Sequence, residues 1–221
     1  MQKFDENFDR ERVKKLYEFE NEAYAEGFNL VAGVDEAGRG SLVGSVIVAA
    51  VILPKNFYLP KLNDSKKISA KIREELFDEI KSAAISFSTA EVSAEKIDEL
   101  NIYQATLQGM ENAVKNLSVK PEFVLTDAMK LNLENEGIKS RSIIHGDALS
   151  ASIAAASIIA KVTRDRMADE WGKIYPDYGF EHNRGYGTKA HFLAIKKFGP
   201  CPLHRKTFNP VKTMLLKDGI K

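Results

Sequence analysis

The chain has 221 residues, 44% of them hydrophobic and 29% charged, with a formal net charge of +1, ordinary values for a soluble globular protein. Its longest apolar stretch, Val43 to Leu53, is too short for a membrane span. The charged opening MQKFDENFDRERVKK carries no export signal. The single cysteine, Cys201, excludes an internal disulfide. A cytoplasmic protein that does not engage membranes is the expectation. The charge is unevenly placed. Residues 181–221 hold nine Lys or Arg against two acids, a balance of +7, so the first 180 residues carry −6. Such a basic end is either a polyanion-binding flank or a solvated tail.

In chain order, Val13, Leu16, Tyr17 and Tyr24 recur at helical spacing, which predicts an amphipathic helix over 9–27. Two strands follow, Leu30 to Asp35 and Ser45 to Leu53. A polar loop, LPKLNDSKKIS, then leads into a helix that Ser69 can cap and that runs to Lys81. AAISFSTAEV alternates as a third strand. Tyr103, Leu107, Met110, Val114 and Leu117 mark one buried face of a helix over Ala94 to Leu117. EFVLTDA and SRSIIHGDA read as two further strands, each ending on an aspartate. Ser150 opens a long helix, SASIAAASIIAKVTRDRMADEW, whose small residues suit close packing on a sheet. Five strands with intervening helices predict an α/β or mixed sheet, antiparallel at the first, tight connection. With no repeat, low-complexity tract or linker, one domain over 1–221 is expected, with a core over about 28–180.

Three of the five strands end in acid: Asp35-Glu36, Asp127 and Asp147. An aspartate at a strand end often only caps a turn, but strand ends along one sheet edge converge, and ligand sites form there. Four clustered carboxylates would repel one another and be driven to protonate. Hard divalent cations such as Mg²⁺ or Mn²⁺, which prefer oxygen ligands, remove that conflict. The set of four therefore points to a metal site.

Gly38, Gly40 and Gly44 approach a dinucleotide-binding loop, but the spacing is one residue long and a strand follows where a helix is required. A tight turn is the simpler account of them. His182, His191, Cys201 and His204 lack zinc-site spacing. Ser150, Ser157, Lys161 and Arg164 form a polar stripe on the long helix. It either binds phosphate or is a solvated face ion-paired with Asp165 and Asp169.

Five blocks, GVDEAGRGSLVGSVIVAAVIL, LNDSKKIS, HGDALSASIAAASIIAKVTRDR, GYGTKAH and GPCPLHRKTFNPV, stand in this order over about residues 30–212. In these the sequence resembles the type 2 ribonucleases H, ribonuclease HII. The resemblance implies a ribonuclease H-like fold: a mixed five-stranded sheet flanked by helices, with a C-terminal helical segment. It implies a metal-dependent endonuclease that hydrolyses the RNA strand of RNA–DNA hybrids; a monomer is expected. It also implies cutting 5′ of single ribonucleotides embedded in duplex DNA, giving 5′-phosphate and 3′-hydroxyl ends. By the same resemblance Asp35, Glu36, Asp127 and Asp147 are catalytic and hold two divalent cations, Mn²⁺ or Mg²⁺. Gly38, Arg39 and Gly40 match the loop that senses the ribose 2′-hydroxyl, and Tyr186 matches a tyrosine that stacks on the next deoxyribose. Lys161, Arg164 and the basic end would contact the duplex backbone. Ala128 and Gly187 depart from the family form, which commonly has Gly and Pro there. A resolvase-type nuclease would share the acids but not the Gly-Arg-Gly loop. A non-catalytic hybrid-binding module would not need all four acids.

Overall fold

The computed structural model describes residues 5–217; the first and last four residues of the chain lie outside the described residues. One five-stranded sheet has the order β3-β2-β1-β4-β5, with β1 (Val31–Ala37), β2 (Val46–Ile52), β3 (Ser86–Val92), β4 (Phe123–Asp127) and β5 (Lys139–Ile143). β1 and β2 pair antiparallel, as their short connection demands, and β3 adds antiparallel to β2 after a longer one. β4 and β5 then add parallel on the other side of β1, so the sheet is mixed. β2 is buried at every position and β1 at all but one, because helices cover both faces. The edge strand β3 alternates buried and exposed along its length.

Helices α1 (Glu6–Lys15) and α2 (Glu18–Ala25) occupy the region expected to be one helix. The chain breaks at Leu16 and Tyr17, both of which are buried. After α3 (Ala70–Ala83), capped by Ser69 as expected, the span expected as one helix over 94–117 is also two. α4 (Ala94–Leu100) and α5 (Ile102–Lys115) are divided at Asn101, whose φ of 71° leaves the helix. Its side chain accepts from the amides of Tyr103 and Gln104. Asparagine tolerates positive φ and caps helices well, so this break had a visible signal.

The long helix α7 (Ala151–Ile174) follows a single helical turn, α6 (Gly146–Leu149). It lies against β1 at backbone distance. A Cβ on Gly33 would fall 2.1 Å from the carbonyl carbon of Ser152. Ala151, Ala154, Ala155, Ala156 and Ala160 pack there with Ala49 and Val51 of β2, all fully buried. The opposite face of the sheet holds Ala32, Val34, Val48 and Ala50 against Ala105, Met110 and Ala113 of α5. Beyond α7, α8 (Phe180–Asn183), α9 (Lys189–Phe198) and α10 (Val211–Lys217) complete the described chain. A smaller apolar cluster of Trp171, Tyr178, Phe180 and Ile195 closes over Leu42 and Val43 there. No helix among the described residues is long and apolar enough to cross a membrane.

Gly33→Ala tests the close approach. The methyl group has only backbone to displace, so α7 must lift from β1 at a cost of about 3 kcal/mol or more. Denaturant unfolding should show that loss; a change below about 1 kcal/mol would mean that α7 has room to move.

Candidate active site

Strand register places the first two acids. In the parallel pair Val34 lies opposite Thr126, so Asp35 and Asp127 leave the ladder as neighbours. Asp147 arrives differently. The expected strand to Asp147 ends at Ile143, and Asp147 lies in the first turn of α6. His145 turns the chain there with a left-handed φ of 60°. The amide of Gly146 donates to Asp127 Oδ1 at 2.8 Å, which draws α6 onto the end of β4. Ala128 also adopts positive φ, 52°, a conformation for which glycine is favoured. One oxygen each of Asp35, Asp127 and Asp147 lies within 4.8 Å of the others.

Glu36 stands apart from that trio. It lines the same cleft as Asp35, and Arg39 Nη1 donates to its Oε1 at 3.2 Å. Its Oε2 is buried with no hydrogen-bond partner.

The electrostatics are those of an anion cluster. Asp35 is buried, and desolvation, followed by the charges of Glu36 and Asp127, pushes its carboxyl well above the usual range. Desolvation also raises Glu36 and Asp127, against the opposing pull of Arg39 on Glu36 and of the Gly146 amide on Asp127. Lys66 Nζ donates to Asp147 Oδ2 at 3.0 Å. Burial works against its charge, but the hydrogen bond to Asp147 and the charges of Asp147 and Asp35 prevail, and its pKa rises to about 12. Two cations, Lys66 and Arg39, face four acids. The unpartnered Glu36 oxygen and the convergent carboxylates are a hard, all-oxygen donor set that fits divalent cations. Lys66 was legible only as part of a polar loop. Its placement follows from Ser65, whose amide donates to Ser157 Oγ of α7 at 3.3 Å.

Asp35 and Glu36 line one side of a cavity of about 460 Å³. Its other walls are Gly38, Arg39 and Gly40, Lys66, Ser157, Lys161 and Tyr186. Gly38 has φ 100°, and a Cβ on it would meet Arg164 Nε at 2.0 Å. Gly40 is exposed, 4.0 Å from the Tyr186 ring when a Cβ is placed on it. The Gly-Arg-Gly turn and Tyr186 are therefore neighbours, and the bridge between Ser41 and Tyr186 continues that contact.

The polar stripe divides. Lys161 lines the cavity and is bound to Asp165 at 2.6 Å. Arg164 does not reach the surface, which corrects its expected role as a duplex contact. It is 0% exposed and pairs with neither Asp165 nor Asp169. Its guanidinium donates to the carbonyls of Ser45, Arg184 and Val43 at 3.2, 2.9 and 3.2 Å. Asp169 pairs with Arg184 instead. Arg205, in the basic end, is likewise 0% exposed. It donates to the carbonyls of Gly44, Arg39 and Gly38 at 3.0, 2.8 and 2.8 Å. Burial, then Arg164 beside it, lowers its pKa to about 9. Two guanidiniums thus hold the carbonyls of the 38–45 turn inward. Among the described residues, the exposed positive charge of this end comes from Lys189, Lys196, Lys197, Lys206 and Lys212.

Comparison with solved structures identifies the architecture. The ribonuclease H2 of Pyrococcus horikoshii OT3 superposes with a TM-score of 0.71 at 23% identity, over 87% of this chain and all of that one. The Archaeoglobus fulgidus ribonuclease HII, solved in complex with PCNA, gives 0.71 at 28% identity over 81% and 95%. Bst-RNase HIII, solved with Mn²⁺, gives 0.60 at 15% over 87% and 71%. The fold and the clustered acids define a hydrolytic endoribonuclease of the ribonuclease H type. The family model described as Ribonuclease HII matches residues 32–211. Ribonuclease HII of Bacillus mycoides is 54% identical over 95% of this chain and 80% of its own length. That of Enterococcus faecalis is 50% identical over 91% and 78%. The chain belongs to the ribonuclease HII family.

Raised carboxyls mean that the folded protein without cations holds protons the unfolded chain has lost. Each such group costs stability as pH rises above the ordinary carboxyl value of about 4. Asp35→Asn removes that cost and keeps an oxygen for the Glu36 amide. In chelator the variant should match the wild type near pH 4 and exceed its Tm by about 2–4 °C or more at neutral pH. Equal Tm values across that range would mean that the acids do not repel one another.

Proposed function

We propose that this chain hydrolyses the RNA strand of RNA–DNA hybrids and cuts 5′ of single ribonucleotides embedded in duplex DNA, leaving 5′-phosphate and 3′-hydroxyl ends. One observation supports this above the others: Asp35 and Glu36 share a single cavity with the Gly-Arg-Gly turn and Tyr186. A phosphate at the acids would bring its sugar under the turn. The chain is proposed to act as a cytoplasmic monomer.

Asp35, Asp127 and Asp147, joined by the free oxygen of Glu36, would hold two divalent cations, Mg²⁺ or Mn²⁺. Such ions, when bound, supply an activated water at neutral pH and stabilise the leaving 3′-oxygen. The rest falls to the protein's own groups. β1, buried on both faces, gives Asp35 a rigid base. The Asp127–Gly146 hydrogen bond fixes the third acid relative to the second. Lys66, with a side chain 73% exposed, bridges Asp147 and the open cleft, where it can meet a phosphate oxygen. Lys161 stands on the Tyr186 side.

Selectivity rests on the turn. The ribose 2′-hydroxyl is what distinguishes RNA from DNA, and glycines at 38 and 40 let backbone groups reach it. Arg164 and Arg205 take up the carbonyls of the turn from below, which keeps its conformation set before substrate arrives. A hydrogen bond that a deoxyribose cannot make leaves a polar group unpaired, at about 1–3 kcal/mol. Tyr186 adds a second check by stacking on the deoxyribose that follows. Exposed lysines of the C-terminal segment hold the duplex by its phosphates without reading bases.

On a duplex with one ribonucleotide and Mg²⁺ or Mn²⁺, Tyr186→Phe should keep most of the cleavage rate, since the ring remains. Tyr186→Ala should lose about tenfold or more, and wild-type products should map to the 5′ side of the ribonucleotide. Wild-type rates from Tyr186→Ala would remove the stacking role. Products carrying 3′-phosphates would remove the proposed chemistry.

A further inference from the structure

His191 and His204 lie outside the cleft, yet they are 0% and 2% exposed and meet edge to edge, Nε2 to Nε2, at 3.2 Å. At one end His191 Nδ1 lies 2.9 Å from the carbonyl of Tyr186. At the other, the amide of Cys201 donates to His204 Nδ1 at 2.9 Å. A carbonyl can only accept, so His191 must carry its proton on Nδ1. An amide can only donate, and the Cys201 carbonyl, farther from His204 Nδ1 at 3.2 Å, already accepts from the His204 amide at 2.9 Å, so Nδ1 is bare and Nε2 protonated. Both ends impose one polarity: Cys201 N–H to His204, His204 Nε2–H to His191, His191 Nδ1–H to the Tyr186 carbonyl.

The chain of bonds ends on the backbone of a residue that faces substrate. The same carbonyl also accepts from the amide of Thr188 at 2.8 Å. Tyr186 bridges Ser41, and His204 bridges Val43, on either side of the turn that follows Gly40. We propose that His191 and His204 form a neutral, directional hydrogen-bond relay that positions Tyr186 against the Gly-Arg-Gly turn. The proposal rests on the stacking role given to Tyr186 above, and it makes both histidines positioning residues.

An added proton anywhere on the pair breaks the relay. On His204 Nδ1 it would oppose the Cys201 amide; on His191 Nε2 it would oppose the proton of His204. The groups around the pair do not favour a charge. Tyr178 and Phe180 pack against both rings, the Cys201 thiol lies 3.2 Å from His204 Nδ1, and no carboxylate among the described residues hydrogen-bonds either imidazole. Burial lowers both pKa values, that of His204 to about 4, with His191 adding to the effect.

Nitrogen NMR of the ¹⁵N-histidine-labelled protein tests the relay without reference to activity. His191 should show the Nδ1–H tautomer and His204 the Nε2–H tautomer, both neutral at about pH 5.5, a full unit below the ordinary histidine value of about 6.5. A charged ring at that pH, or His191 protonated on Nε2, would overturn the relay. Its role in positioning is tested by two variants on the single-ribonucleotide duplex. His191→Asn keeps a donor where Nδ1 stands, and His191→Phe keeps only the ring. The phenylalanine variant should lose about tenfold or more in kcat with KM little changed, and the asparagine variant should recover most of that loss. Equal kcat for both variants, or a loss carried by KM alone, would overturn the positioning role. Tyr186→Ala run alongside distinguishes the two readings: wild-type activity there removes the stacking role, and with it the relay's link to cleavage, while the tautomers judge the relay itself.

Discussion

Repulsion between carboxylates that the fold forces together is the constraint on which this molecule is organised. β1 and β4 are adjacent and parallel, so acids at their ends cannot separate, and the Gly146 amide ties α6 to the same place. Charges confined in this way need a rigid frame, because a mobile one would relax by moving them apart. The frame comes from an apolar strand buried on both faces and from a helix admitted to backbone contact by Gly33. The opposing charge is incomplete, since one lysine and one arginine answer four acids. A site left electrostatically short in this manner attracts hard cations and the phosphates they accompany.

A second constraint acts on the facing wall. Backbone groups can recognise a single hydroxyl only if they are exposed and held still. Glycine provides the exposure and, by itself, the wrong rigidity. Arg164 and Arg205 restore it by holding six carbonyls in place, five between residues 38 and 45 and that of Arg184. Neither guanidinium makes an ion pair among the described residues, so their charge is spread over peptide dipoles beneath the turn, close to where a polyanion would lie. The C-terminal segment thus has two parts: buried polar side chains that fix the turn and Tyr186, and exposed lysines suited to phosphates.

Much of this was legible in the sequence, and the failures share a cause. The β-branched runs, the alternation of β3 and the small-residue face of α7 announced the sheet and its packing, because burial pattern is a local signal. The mixed order of the strands and the family membership followed the five sequence blocks. Helix breaks at Leu16 and Asn101 were overrun because apolar periodicity continued across them. Asp147 was assigned to a strand end since SRSII looks extended, whereas the turn at His145 depends on a left-handed residue that sequence does not display. Arg164 and Arg205 looked like duplex contacts because arginine is usually exposed. Only the tertiary fold, which folds residues 203–205 along the 42–44 turn, shows that carbonyls surround them. Lys66 was missed for the same reason, its partner Asp147 lying 81 positions away.

The activity proposed for this chain joins cation-dependent hydrolysis to the reading of one 2′-hydroxyl. Its most direct test is a set of three DNA duplexes that differ only at one sugar, bearing 2′-hydroxyl, 2′-hydrogen or 2′-O-methyl, each incubated with Mg²⁺ or Mn²⁺ and with chelator. Cleavage confined to the 2′-hydroxyl duplex, and lost in chelator, is the predicted result. Comparable cutting of the 2′-hydrogen duplex, or cutting that persists in chelator, would contradict it.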